Sequence, residues 1–409
     1  MNHNIQKNPK NYSKWLEFII FLLFLLGPLT GNIINVLFAV LSSYFHVSPD
    51  NILIAIPAFM FPFAIIQLFS GAISDIKGRI PVLITGLVIF AIAMLTAALS
   101  LNLLMYVIAN VLGGIGFGFI NPVLIALMTD ITSPPQIAKK MGYLGASANL
   151  GVGFGPLLAS QMILIGWQSI YVLFIVITCF CLVYFILARR PPQNISVQSG
   201  LHTFLSQLSK EWRRIPVFLM ILSAFFISYT YIAINIWTSK TLAGVLDPTI
   251  IGVVLFLAGF GAAITGILTG FLIKMKGARL PLIIGSLFLF SSLLILLIIG
   301  DITIPERFIL LASGWVLAGF SGGILFTTIT YYSQILSPER RGALAGSLTA
   351  SYFTGIALVP MILAPFSDNY GITGVYIAIL IASTFFIIIT FLLYICSKSI
   401  VTEKQNAHS

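Results

Sequence analysis

Eleven carboxylates, four histidines and three cysteines are the groups in this 409-residue chain that could carry acid–base, metal or redox chemistry. Glu17, Asp75, Asp130, Glu211, Glu339 and Glu403 stand at one set of apolar-run ends and connections; Asp50, Asp247, Asp301, Glu306 and Asp368 stand at the other. No Asp, Glu, Lys, Arg or His lies in the middle of an apolar run. Hydrolysis, metal chemistry or proton relay inside a bilayer needs such a group. The pattern therefore argues against an enzyme, and neither metal nor cofactor is expected. His46 reads as a solvated loop residue. Cys179, Cys181 and Cys396 lie inside apolar runs without metal-ligand or disulfide spacing and read as small core residues. Gly113-Gly114-Ile115-Gly116-Phe117-Gly118 has the glycines of a dinucleotide turn, but it sits within an apolar run and suits close helix packing better. With no nucleotide motif on the chain, uphill work would have to draw on an ion gradient.

The stretch richest in charge between long apolar runs is Gly71-Ala72-Ile73-Ser74-Asp75-Ile76-Lys77-Gly78-Arg79. A hairpin of this size is either a plain turn or a moving part, and the elements beside it decide which.

Those elements are membrane helices. Hydrophobic residues are 59% of the chain and charged residues only 8%, with a mean hydropathy of +1.06. A soluble domain carries about 25% charged residues, so the partner that solvates this surface is a lipid bilayer. A helix crosses the hydrocarbon core with about 20 apolar residues. Runs of that length fall at 16–41, 52–73, 80–100, 103–127, 141–165, 169–188, 216–239, 250–273, 280–300, 308–332, 343–366 and 373–397. They are too long and too uniformly apolar for barrel strands. The expected fold class is an all-α integral membrane protein with twelve transmembrane helices.

Nineteen of the 21 Lys and Arg residues fall in the two tails and the even-numbered connections; only Lys240 and Arg307 lie on the other side. By the positive-inside rule both termini are cytoplasmic, in the plasma membrane. The net charge of +10 is then a topology signal, not a nucleic-acid surface. The polar N-terminus runs into the first span without a small-residue cleavage site, so no removable signal peptide is expected. The long sixth connection opens with Pro191-Pro192 and sets Leu201, Phe204, Leu205, Leu208 and Trp212 at helical spacing beside Lys210, Arg213 and Arg214. It reads as an interfacial helix or as a simple tether.

The halves repeat. Gly71, Gly78 and Gly86 recur as Gly270, Gly277 and Gly285; Gly118, Pro134, Gly142, Gly151 and Pro156 recur as Gly322, Pro338, Gly346, Gly355 and Pro360. Matches at two nearby offsets, each at the same place in its helix, indicate a duplicated six-helix unit. Six is even, so the units enter the membrane from the same side, as parallel repeats. The expected organisation is an N-tail (1–14), a first lobe (15–190), a linker (191–215), a second lobe (216–397) and a C-tail (398–409).

Gly71-x-x-x-Asp75-x-x-Gly78-Arg79 is similar to the loop signature between helices 2 and 3 of the major facilitator superfamily. Gly151-Val152-Gly153-Phe154-Gly155-Pro156 is similar to the helix 5 signature of its twelve-helix drug–proton antiporters. The chain resembles that group over nearly its whole length. It departs at Ile76 and Ile80, where the loop signature has basic residues, at Lys274, where the repeat copy would have an aspartate, and at Ala159-Ser160, in place of a glycine pair. Asn110 stands where such antiporters carry an arginine, and Thr30 replaces the aspartate that precedes the asparagine (here Asn35) in helix 1. The resemblance implies a gate at Gly71, Asp75, Gly78 and Arg79. It also implies that Asp75 meets the N-terminus of helix 11 near Gly342–Gly346, where a carboxylate gains about 0.3–1 kcal/mol.

Cavity linings in that family come from helices 1, 4, 7 and 10. Here these offer Asn32 and Asn35, Asn121, Tyr229, Tyr231, Asn235 and Trp237, and Tyr331 and Tyr332, all uncharged. Amides and amphipathic rings suit a neutral or amphipathic solute; for each residue the alternative is an interhelical bond or an interfacial anchor. The reading is a monomeric secondary transporter of small molecules, exporting drug-like or amphipathic compounds. Any coupling to protons would run through Asp75 or Asp130. A facilitator or exporter of a neutral sugar or nucleoside, and a membrane sensor built on the transporter fold, are the alternatives.

Overall fold

The computed structural model describes residues 14–133, 136–187, 209–300, 303–337 and 341–406, and among them there is no β-strand. The proposed interfacial helix of the linker, apart from Lys210 to Arg214, lies outside the described residues, as do Pro134, Pro338 and most of the N-tail. In the first half the helices are α1 (Lys14–Asn32), α2 (Ile34–Phe45), the short α3 (Pro49–Ile52), α4 (Ala55–Lys77), α5 (Arg79–Ala98), α6 (Leu103–Ile131), α7 (Ile137–Met162) and α8 (Ser169–Leu187). In the second half they are α9 (Ile215–Ile227), α10 (Tyr231–Leu242), α11 (Pro248–Lys276), α12 (Arg279–Ile299), α13 (Phe308–Ile335) and α14 (Arg341–Asn406). Apolar length makes these segments helices, and polar residues end them. Asn102 caps α6 by accepting from the Met105 N–H at 2.9 Å, and Asp247 caps α11 by accepting from the Thr249 N–H at 2.7 Å. That bond holds the Asp247 carboxyl below its ordinary pKa.

The structure corrects two of the spans. The first and seventh crossings are each broken, into α1/α2 at Ile33 and α9/α10 at Ser228–Thr230. The same side-chain pattern accompanies both. Thr30 and Asn32 donate from their side chains to the carbonyls of Leu26 and Pro28, at 2.8 and 2.7 Å. Ser228 and Thr230 donate to those of Phe225 and Ile227, at 2.6 and 2.5 Å. Such back-bonding competes with the helix's own ladder and bends it. Pro28 removes a further ladder donor from α1. The eleventh and twelfth crossings, in contrast, are joined without a loop. Leu344–Ser397 is helical over 54 residues except at Gly371, whose φ is 62°. A straight helix of that length would run about 80 Å, far beyond a bilayer core of about 30 Å. The chain instead folds back at Gly371, so that a Cβ on Gly374 would stand 2.9 Å from the carbonyl of Phe366.

Both halves pack alike. In the first, α4 and α5 lie on α6 while α1 lies on α7; in the second, α11 and α12 lie on α13 while α9 lies on α14. The lobes meet along two seams, α7 with α11 and α4 with α14. This is the exchange that two parallel repeats related by an axis along the membrane normal produce. Large apolar side chains such as Leu101, Leu164, Ile186 and Phe271 point outward, where only lipid would solvate them.

Gly78 alone separates α4 from α5, with φ 93° and ψ 148°. An L-residue is strained there by about 1–3 kcal/mol. Gly78→Ala is therefore expected to lower the thermal midpoint by a few degrees in a melt of the purified protein.

Candidate translocation site

Arg79 gathers the charged residues that the sequence singled out. Its guanidinium pairs with Asp75 at 2.5 Å and with Asp130 at 3.0 Å, and it donates to Ser74 Oγ at 2.7 Å. The end of α4, the start of α5 and the end of α6 are thereby tied on the face that carries the termini. Arg79 is mostly buried, whereas both carboxylates are about half exposed. Asp75 was expected to face the start of the eleventh span in the other lobe. Here it turns to Arg79 in its own lobe, because that guanidinium, four residues on, lies within ion-pair reach.

The glycines show where the lobes touch and where they do not. On the half opposite the termini, a Cβ on Gly259 of α11 would lie 2.6 Å from Gly153 Cα of α7. One on Gly252 would lie 2.6 Å from Ser160 Oγ and 3.0 Å from the Pro156 carbonyl. Phe154 packs on Phe256 at 4.9 Å and Phe63 on Phe353 at 4.4 Å, each pair crossing between lobes. Toward the terminal face, Gly71, Gly145, Gly270 and Gly346, one on each seam helix, meet no atom of the described residues within 4 Å of an added Cβ. The seam is closed on one side and open on the other.

The helix 5 stretch serves both contacts. Gly151 and Gly155 face α1, where Cβ atoms would run into the carbonyls of Leu25 and Leu29. Gly153, Pro156 and Ser160 face α11 instead. Alternating glycines thus let α7 lie flush against a helix of each lobe.

The structure gathers several candidate lining residues near the two helix breaks. Asn32 ends α1, half-buried; Asn35 is buried on α2 with its carbonyl oxygen unpaired among the described residues. Tyr229 sits at the α9/α10 break with its hydroxyl unpaired. Asn235 accepts from the indole N–H of Trp315 at 2.6 Å, and among the described residues its amide nitrogen makes no hydrogen bond. Trp237 is fully buried, and the Lys240 ammonium lies 5.3 Å from its ring centre. Asn121 on α6 and Tyr331 on α13 are half-buried, Tyr331 stacked edge-on to Tyr332 at 5.7 Å.

Sequence reasoning missed Trp315, which orients Asn235, and Gln67 and Ser70, buried on α4 with unpaired polar atoms. It also missed Asn149 of α7, whose amide nitrogen lies 3.7 Å from the Cβ position of Gly266 on α11. An amide two residues before the Gly151 motif was a usable signal. A separate small cavity lies inside the first lobe, between Thr30, Ile34, Met60, Met94, Asn110 and Tyr171. No cluster of potential metal ligands occurs among the described residues.

Comparison with known proteins follows the same lines. The chain is 26% identical over 355 residues to an uncharacterized MFS-type transporter of Bacillus subtilis (strain 168), YceJ, covering 83% of this chain and 85% of that one. It is 26% identical over 369 residues to the quinolone resistance protein NorA of Staphylococcus aureus (strain COL), covering 89% and 92%. A bacterial homologue of the human lysosomal transporter Spinster superposes with a TM-score of 0.70 at 15% identity, over 96% of this chain and 98% of that one. The human organic anion transporter MFSD10 superposes with a TM-score of 0.65 at 19% identity, over 92% and 98%. The family model described as Major Facilitator Superfamily matches residues 20–342 and 236–407. With two matched six-helix lobes, two interlobe seams and a family match across both, the chain belongs to the Major Facilitator Superfamily.

Proposed function

We propose that this transporter exports drug-like or amphipathic small molecules from the cell by alternating access, with both termini cytoplasmic in the plasma membrane. The observation that carries the reading is the unequal seam, packed to backbone contact on the outer half and open around Gly71, Gly145, Gly270 and Gly346. A solute entering from the cytoplasm would meet aromatic rings and amides but no charge in the middle of the spans. Asn32, Asn35, Asn121, Tyr229, Asn235, Trp237 and Tyr331 are its proposed contacts. That lining suits neutral and amphipathic molecules, and likeness to a quinolone resistance protein supports the same class. The Gly71–Arg79 loop is the proposed cytoplasmic gate, with Asp75 moving from Arg79 to the start of the eleventh span as the lobes close. Any coupling to protons is proposed to run through Asp75 or Asp130, both of which pair with Arg79.

Flux of a fluoroquinolone or another amphipathic compound in proteoliposomes, with and without an imposed pH gradient, tests the reading. Accumulation against the substrate gradient only when the pH gradient is present is the expected result. Gradient-independent equilibration of a sugar or nucleoside would replace it with the facilitator reading, which the lack of a mid-span carboxylate favours. Ligand binding without any flux would leave only a sensor.

A further inference from the structure

Among the described residues one ion pair joins the two lobes, and it lies on the outer face. Lys240, near the end of α10, pairs with Asp50 of α3. The other ion pairs, Arg79 with Asp75 and Asp130, Lys140 with Glu17, and Arg214 with Glu211, each stay within one lobe or at the end of the linker. Lys240 also holds its ammonium 5.3 Å from the ring centre of the buried Trp237. Its side chain is only 15% exposed, while that of Asp50 is 54% exposed. The half-helices that bring the pair together, α2 leading to Asp50 and α10 carrying Lys240, pack on each other across the lobes. Each of them follows a break.

We propose that Lys240 and Asp50 form an outer latch that holds the external side closed in the cytoplasm-open state. A cation over a ring that is also paired to a carboxylate is fixed by two partners, one from each lobe. Opening the outer seam separates α10 from α3 and therefore breaks the pair. The tight glycine contacts between α7 and α11 close the seam sterically but carry no such directional tie. Opening gives up both the carboxylate pair and the ring contact, and hydration of the freed ammonium offsets only part of that loss, so the latch biases the resting population toward the outer-closed state. This inference rests on the alternating-access reading only in requiring that the lobes move.

The test is a spin-label distance across the outer face, between labels at Ser43→Cys and Val245→Cys in liposomes. Cys179, Cys181 and Cys396 are replaced in the same background. Asp50→Asn and Lys240→Gln are each expected to raise the long-distance population by about fivefold, the shift that ~1 kcal/mol gives. The swapped pair, Asp50→Lys with Lys240→Asp, is expected to return it toward the starting value. Gly259→Leu serves as a steric control that props the seam open without touching the pair. If Gly259→Leu lengthens the distance while neither single neutralisation does, the latch is refuted and lobe motion stands. If the singles lengthen it and the swap does not restore it, the effect is local unfolding and the latch is likewise overturned. Should no variant move the labels, the alternating-access reading falls together with the latch.

Discussion

Gly151→Ala is expected to destabilise the protein by about 1–3 kcal/mol and to abolish most transport, although the change adds a single methyl group. The added Cβ would stand 2.5 Å from the Leu25 carbonyl and 3.1 Å from the Leu29 nitrogen, both backbone atoms of α1. Backbone cannot rotate out of the way as a side-chain tip can, so α7 and α1 must separate. Separation displaces Asn32 and Asn35 at the α1/α2 break and loosens α7 against α11. The same substitution at Gly145, on the same helix, meets no atom within 4 Å. There the helix-propensity difference of about 1 kcal/mol in favour of Ala should leave stability unchanged or raised. Thermal melts and substrate flux of the two variants side by side make the test. Equal melting points would show that the α1/α7 contact is not as close as the geometry has it.

Arg79→Gln is expected to have the second large effect, and on rate more than on stability. The guanidinium holds Asp75, Asp130 and Ser74 at once. Because the carboxylates are half exposed, each pair is worth no more than about 1 kcal/mol, yet losing both frees α4, α5 and α6 at one end. A bias of ~1–2 kcal/mol in the lobe equilibrium changes populations roughly 5- to 30-fold, and transport should fall on that scale while the melting point moves by only a few degrees. Asp75→Asn and Asp130→Asn, each sparing one pair, should fall between Arg79→Gln and the parent in flux assays. If neutralising either aspartate alone stops transport while Arg79→Gln does not, the carboxylates act without the arginine and the clamp reading fails.

Linear and spatial features divide plainly in this protein. The apolar runs, the glycine–proline repeat and the absence of mid-span charge are linear properties, and each survives folding unchanged. Close helix packing, too, was signalled by Gly113, Gly114, Gly116 and Gly118 before any contact was known. The breaks in the first and seventh crossings were not, because Thr30, Asn32, Ser228 and Thr230 back-bond only once a helix exists to compete with. Of the proposed contacts, Asn35 and Asn235 are amides at like places in the two halves, a relation that residue order alone displays. That Trp315 fixes one face of Asn235 was not legible, since an indole in an apolar span looks like packing until its neighbour is known.

By itself the sequence determined the twelve crossings, the doubled six-helix plan and a core without charge. Run length, residue spacing and polarity are enforced by the bilayer whatever the lobes do. Only the tertiary structure decided that Arg79 reaches Asp130, that α7 and α11 meet at Gly153 and Gly259, and that Lys240 reaches Asp50. These are choices between lobe arrangements separated by a few kcal/mol. Partners far apart in the chain settle such differences by how close the fold brings them, and the order of residues carries no record of that distance.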